Sequence, residues 1–204
     1  LLLNISPYST ILKDFLLPHE DIILKEIKSV LKHNYWRDIY TKSGKKMSIK
    51  ISNCGNYGWY SDDKGYRYTP VDPLTNLNWQ PIPPTLFMLA QEAAKISGYL
   101  NFIPDCCLMN RYEVGNQLSL HQDLDEKDFS QPIVSFSFGL PATFLLGGLN
   151  RNIPPNRYIL NNCDALVFGY KDRLLFHGVE KIQPSNINTK IGNIRINLTF
   201  RKAV

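Results

Sequence analysis

The chain has 204 residues, 44% hydrophobic and 20% charged, with a formal net charge of +5 and a pI of about 9.0. That length suits one well-buried core or at most two small domains, and 12% aromatic residues exclude a disordered or low-complexity chain. No stretch approaches the roughly 18 consecutive apolar residues of a membrane-spanning helix. The four cysteines, Cys54, Cys106, Cys107 and Cys163, form no Cys-x-x-Cys pair, which argues against a disulfide scaffold or Cys-rich zinc site and predicts four reduced thiols.

The chain begins at Leu1 rather than Met, so its natural start is expected upstream. Its short apolar opening lacks the basic flank and small-residue cleavage site of a signal peptide. Residues 19–33 predict a helix, with Glu20 and Asp21 in the first turn and Ile23, Ile27, Val30 and Leu31 in one apolar stripe. Residues 35–80 are rich in Trp, Tyr, Gly, Asn and Pro and predict a hairpin and loop region with large exposed aromatics. Charge is uneven: residues 1–50 hold nine Lys/Arg against five Asp/Glu, a net of +4. Among them Lys42, Lys45, Lys46 and Lys50, beside Ser43 and Gly44, form a basic loop that suits phosphate contacts, although charge alone favours a solvated surface loop. A second helix is predicted over 84–97, with Pro84 at its start, Leu86, Leu89, Ala90, Ala93 and Ala94 inside, and Gly98 just past its end. Short strands follow at 106–112, 118–121, 132–138, 142–146, 157–160, 165–169, 174–177 and 193–201, separated by Gly, Pro and Asn clusters. Such a run of strands without a helix between them predicts a sandwich, jelly roll or barrel. No internal repeat or linker divides the chain.

In His121-Gln122-Asp123 two ligand types stand two residues apart and face one way along an extended chain. With four His and twelve Asp, such a spacing arises by chance roughly a quarter of the time, so the motif needs a distant partner. His177, after the strand-like 174–176, supplies one. Two His and one carboxylate leave half of an octahedron open, as in non-haem Fe(II) oxygenases, which need free positions for a substrate acid and dioxygen. Taken singly, each His is better explained as a packed, hydrogen-bonded core residue. The final strand breaks the tie. Ile194, Ile196, Leu198 and Phe200 share one face, and Arg195, Asn197, Thr199 and Arg201 the other, so the second face is either exposed or lines a polar pocket. An Arg inside a β-barrel suits bidentate grip of a carboxylate, and a metal triad with an interior Arg is what an iron enzyme using an oxo-acid co-substrate requires.

Together these features resemble the AlkB family of Fe(II)- and 2-oxoglutarate-dependent nucleic-acid dioxygenases. The resemblance runs from about Met47 to Arg201, through NCGNYGW, GYRY, LMNRYEVG, LSLHQDLDE, GLPATF, GGLNR, RLLFHG and RINLTFR. The combined HxDxDE and RxNLTFR motifs are specific, whereas the first 35 residues are similar to the family only loosely. The resemblance implies an α+β fold in a single domain, 1–204. Its double-stranded β-helix (jelly-roll) core would span about 98–204, with N-terminal helices supporting one sheet and a nucleotide-recognition lid over about 35–80.

The resemblance also implies roles. His121, Asp123 and His177 would bind Fe(II). Arg195 would pair with the distal carboxylate of 2-oxoglutarate, helped by Asn110 and Tyr112, and with the triad it would be catalytic. Arg201 would lie near the metal-bound carboxylate end, and Asn197 would line the same pocket. Arg195 and Arg201 stand six residues apart, roughly 20 Å along an ideal strand, and meet one small ligand only if both lean inward. Trp59 would stack on the damaged base, with Tyr66, Arg67 and Tyr68 contacting base or backbone. Asp125 would accept a hydrogen bond from the exocyclic amine of the base, and Arg151 would contact substrate from the rim. The family's bacterial pattern has a Trp where this chain has Phe168, which is expected to alter packing near the site, and the 41–47 loop differs in composition.

The implied activity is oxidative demethylation of bases such as 1-methyladenine and 3-methylcytosine, mainly in single-stranded DNA. It would consume dioxygen and 2-oxoglutarate and release succinate, CO2 and formaldehyde. A methyl on the pairing edge weakens pairing and lowers the cost of flipping that base. Double-stranded DNA and RNA are further candidate partners, and the protein is expected to be a cytoplasmic monomer with no membrane partner. The alternatives are an RNA demethylase, another 2-oxoglutarate-dependent hydroxylase, or a non-catalytic nucleic-acid-binding module. The intact His121, Asp123, His177 and Arg195 argue against the last. For Trp59, Tyr66 and Tyr68, base stacking competes with a plain hydrophobic cluster under a loop.

Overall fold

The computed structural model describes all residues, 1–204. Its strands are β1 (Leu2–Ser6), β2 (Ser9–Leu12), β3 (Arg37–Tyr40), β4 (Lys46–Gly55), β5 (Gly58–Asp62), β6 (Gly65–Thr69), β7 (Cys106–Glu113), β8 (Leu118–His121), β9 (Ile133–Gly139), β10 (Ala142–Leu146), β11 (Asn156–Leu160), β12 (Ala165–Phe168), β13 (His177–Val179) and β14 (Ile194–Arg201). The helices are α1 (Glu20–Leu31) and α2 (Pro84–Ile96). The strands form an eight-stranded sheet in the order β1-β2-β12-β9-β14-β7-β4-β3, a four-stranded sheet β11-β10-β13-β8, and a separate hairpin β5-β6. The two larger sheets face each other as the expected jelly roll. No helix is long and apolar enough to cross a membrane.

Alternation along the strands sets the layers. Val134, Phe136 and Phe138 of β9 and Ile196, Leu198 and Phe200 of β14 pack against Ile23, Ile27, Leu86, Leu89 and Ala93 of the helices. The opposite faces, with Ser135 of β9, Asn110 and Tyr112 of β7 and Arg195, Asn197, Thr199 and Arg201 of β14, line a cavity between the sheets. β14 is therefore buried on both faces, and its polar side faces a pocket rather than solvent. All four cysteines are free and buried.

The larger sheet reaches past 98–204 at both edges. β1 and β2 extend it beyond β12, and β4 and β3 beyond β7. β1 and β2, of five and four residues joined through Pro7-Tyr8, are too short for their residue pattern to mark them as strands. Of residues 35–80, β5 and β6 alone stand apart from that sheet as a hairpin. The strand expected at 174–177 starts only at His177, because Tyr170–Leu174 is a 3-10 turn. Side chains hold that turn: Asp172 accepts hydrogen bonds from the hydroxyls of Ser6 and Ser9, and Arg173 pairs with Glu126.

Candidate active site

β8 and β13 are antiparallel neighbours, and their register sets His121 directly opposite His177. Glycine is required beside the second histidine: a Cβ on Gly178 would lie 2.6 Å from the Leu118 carbonyl oxygen. The imidazole centroids are 4.5 Å apart. Asp123 follows β8 and completes the group, with one ligand atom of each residue within 4.8 Å of the others. His121 Nδ1 lies 2.8 Å from the Ser119 carbonyl and His177 Nδ1 lies 3.0 Å from that of Leu175. Each Nδ1 thus donates its proton to the backbone, leaving an Nε2 lone pair for a metal. These Nε2 atoms lie 3.5 and 3.2 Å from the Asp123 carboxylate. Three electron-rich atoms thus converge, an arrangement a divalent cation satisfies.

Charge around the triad favours the ligating forms. Burial, with neighbouring His177, lowers the His121 pKa to about 4, so the ring is neutral near pH 7. Burial works against the Asp123 carboxylate, but Arg201 and His177 overcome it and hold its pKa well below the usual range. Arg201 Nη1 lies 2.8 Å from Asp123 Oδ2.

The triad opens into a cavity of about 450 Å³ between the sheets. In its wall Arg195 is 1% exposed. Its guanidinium donates to Ser137 Oγ at 2.7 Å and to the carbonyl oxygens of Leu140 and Leu160 at 3.1 and 3.4 Å. It pairs with no acid, its Nε lacks a partner, and so does the phenol of fully buried Tyr112. Burial lowers the Arg195 pKa to about 10, which leaves it charged near pH 7, and raises that of Tyr112 to about 12, which leaves it a neutral donor. A buried cation without a counter-ion is costly. A carboxylate entering here meets a guanidinium and a phenol already positioned, so the residues fit a dicarboxylate co-substrate. Asn197 Nδ2 donates to Ser135 Oγ and the Phe136 carbonyl at 2.7 and 3.0 Å.

The hairpin stands at the mouth. Trp59 and Tyr66 are stacked, with centroids 5.5 Å apart and planes 19° apart, and the indole N–H donates to Asp125 Oδ2 at 2.9 Å. Of the residues expected at the site, all except Arg67, Tyr68 and Arg151 line the cavity. Arg67 lies on the other face of the hairpin, forked onto Asp62 at 2.6 and 2.8 Å and over the Tyr60 ring. The alternation in Gly65-Tyr66-Arg67-Tyr68 already carried that signal. Tyr68 turns to Glu126, and Arg151 lies over Phe176. Lys45 and Lys46 line the cavity, but Lys46 Nζ is 2.8 Å from Asp38. Phe168 meets the His177 ring edge-on at 5.1 Å.

Sequence reasoning passed over Glu126 and Arg173. Glu126 Oε1 accepts hydrogen bonds from Tyr68 and Arg201, both at 2.6 Å, and Oε2 lies 2.7 Å from Arg173. Glu126 closes the HxDxDE motif and Arg173 opens RLLFHG, but only tertiary contact pairs them.

The sequence profile of the 2OG-Fe(II) oxygenase superfamily matches residues 9–201. Over 195 residues the chain is 42% identical to alpha-ketoglutarate-dependent dioxygenase AlkB of Escherichia coli, covering 96% of this chain and 90% of that one. Over 199 residues it is 40% identical to the protein of the same name from Salmonella typhimurium, covering 98% and 92%. Among solved structures, that of OsALKBH1 matches with a TM-score of 0.83 at 30% identity, covering 99% of this chain and 100% of that one.

Proposed function

The chain belongs to the AlkB family of 2OG-Fe(II) dioxygenases, and we propose that it oxidatively demethylates alkylated bases of the 1-methyladenine and 3-methylcytosine type, preferring single-stranded DNA. Family membership and the His/Asp/His triad imply Fe(II) as cofactor and 2-oxoglutarate as co-substrate. The observation that carries the substrate reading is that the Trp59–Tyr66 aromatic pair and the triad share one cavity. A base held against the indole would share that cavity with the metal-binding face.

In this reading His121 and His177 hold the metal through Nε2 and Asp123 through its carboxylate. Arg195 receives the distal carboxylate of 2-oxoglutarate, and the Tyr112 phenol donates to the same end. When bound, Fe(II) with 2-oxoglutarate and dioxygen supplies an oxidant that hydroxylates the methyl group, and the product breaks down to formaldehyde and the repaired base. Trp59 stacks on the extruded base, and Asp125 accepts from its exocyclic amine. Lys45, which lines the cavity, would contact a phosphate of the strand. Four free, buried thiols accord with a cytoplasmic enzyme.

The test is joint measurement of succinate and formaldehyde with methylated DNA and RNA oligonucleotides. Fastest formaldehyde release from single-stranded DNA carrying 1-methyladenine or 3-methylcytosine is expected. Faster turnover of RNA would make the chain an RNA demethylase. Succinate without formaldehyde from any oligonucleotide would point to another hydroxylation.

A further inference from the structure

The cavity does not account for Tyr68, Glu126 and Arg173. Tyr68 stands on β6, on the same side of the hairpin as Trp59, yet its phenol donates to Glu126 at 2.6 Å. Glu126 is 5% exposed and lies three residues after the metal carboxylate Asp123. It bridges two buried guanidinium groups, Arg201 at 2.6 Å and Arg173 at 2.7 Å. The same two arginines hold Asp123 from both ends. Arg201 reaches its carboxylate at 2.8 Å, and Arg173 Nη1 donates to its backbone carbonyl at 2.9 Å. Two carboxylates and two guanidiniums thus make a closed, buried, neutral cluster. Withdrawing one member strands an uncompensated charge, so the four hold position together. The hairpin is joined to this cluster by one phenol.

We infer that Glu126 is a positioning residue coupling the recognition hairpin to the metal site: through Tyr68 on one side and Arg201 and Arg173 on the other, the seat of the hairpin and the pose of Asp123 are set together. The inference rests on the function proposed above, since it gives the hairpin its role. Coupling of this kind is reciprocal. A metal fixing Asp123 steadies Glu126 and so the hairpin, and a base seated in the hairpin steadies Asp123.

The experiment is backbone hydrogen exchange over residues 58–69, with and without Mn(II) and 2-oxoglutarate, which load the triad without turnover. In the unaltered protein loading slows hairpin exchange by about fivefold or more, the lower range of coupling between sites. Tyr68→Phe keeps the ring and loses the hydroxyl; it binds Mn(II) as before and loses that slowing. Glu126→Gln also loses it, and binds Mn(II) more weakly because two guanidiniums then face one carboxylate beside the dication. The inference is overturned if loading leaves the hairpin of the unaltered protein unchanged, or if Tyr68→Phe retains the full slowing. It is equally overturned if Tyr68→Phe speeds exchange alike in both states while the metal-dependent difference persists, which would make Tyr68 structural. Formaldehyde release from methylated oligonucleotides by the unaltered protein tests the proposed function separately. Its absence alongside metal-dependent slowing would remove the substrate assignment and leave the coupling standing.

Discussion

β14 and the β5-β6 hairpin both contribute to the cavity and are built on opposite principles. β14 pairs with β7 along its whole length on one side and with β9 along most of it on the other, and is buried on both faces. Arg195 and Arg201 therefore have little freedom. The hairpin strands pair only with each other. Side chains bracket the hairpin to the body: Asn53 exchanges two 2.9 Å hydrogen bonds with the Trp59 backbone, and the Trp79 indole donates to the Thr69 carbonyl at 2.8 Å. An isolated two-stranded ribbon is marginal alone, so it yields at lower cost than the sheet. Groups that hold a metal and a small acid need fixed geometry, whereas groups that accept a flexible strand benefit from a piece that adjusts.

The sharpest way to break this comparison is Asp123→Ala. It removes the anionic ligand, and metal binding with demethylation should fall by more than the roughly 10- to 100-fold typical of outer partners of a metal ligand. It also leaves two buried guanidiniums to one carboxylate, so stability falls, but Arg201 keeps Glu126 as a partner and cooperative unfolding persists. Mn(II) titration and formaldehyde release check this, and retained turnover would remove the triad. Arg195→Lys acts on the fixed wall as well. It keeps the charge but loses the planar fork, and the 2-oxoglutarate requirement should rise by roughly 10- to 150-fold, the loss of a hydrogen bond to a charged group. Oligonucleotide affinity, measured alongside, should stay level.

Trp59→Ala tests the other region. Loss of one stacked base costs about 1–3 kcal/mol, roughly 5- to 150-fold in oligonucleotide affinity, while succinate formation without nucleic acid continues. If that basal reaction disappears too, Trp59 is structural and the two regions are not separable as described. The smallest effect belongs to the basic residues beside the hairpin. Lys45→Ala should lower the salt slope of single-stranded binding by about 0.7, one phosphate contact. Lys46→Ala should lower it less, because its ammonium is 2.8 Å from Asp38. Equal effects would mean that the Asp38 pair gives way to phosphate.

Legibility followed the range of the signal. The period-2 pattern of 194–201 showed that Arg195, Asn197, Thr199 and Arg201 share a face, because alternation is a property of the strand itself. It left open whether that face met solvent, and the opposing sheet settled it. The helices at 20–31 and 84–96 were visible from their apolar spacing, while β1 and β2 were not, because strands of five and four residues are defined by the neighbours they pair with.

The site divides along the same line. The sequence by itself determined the chemistry available: two imidazoles and a carboxylate, a strand carrying two arginines, and aromatic residues near Gly65-Tyr66-Arg67-Tyr68. These follow from residue identity and local period, and no fold is needed to read them. The tertiary structure decided which of them meet. The antiparallel register of β8 and β13 set His177 against His121 across 55 intervening residues. Pleating of the hairpin sent Arg67 away from the cavity. Closure of the buried cluster drew Tyr68 to Glu126 and Arg173 to Asp123. The physical reason is that a charge in a low-dielectric interior must be matched by partners in space, wherever in the chain they come from.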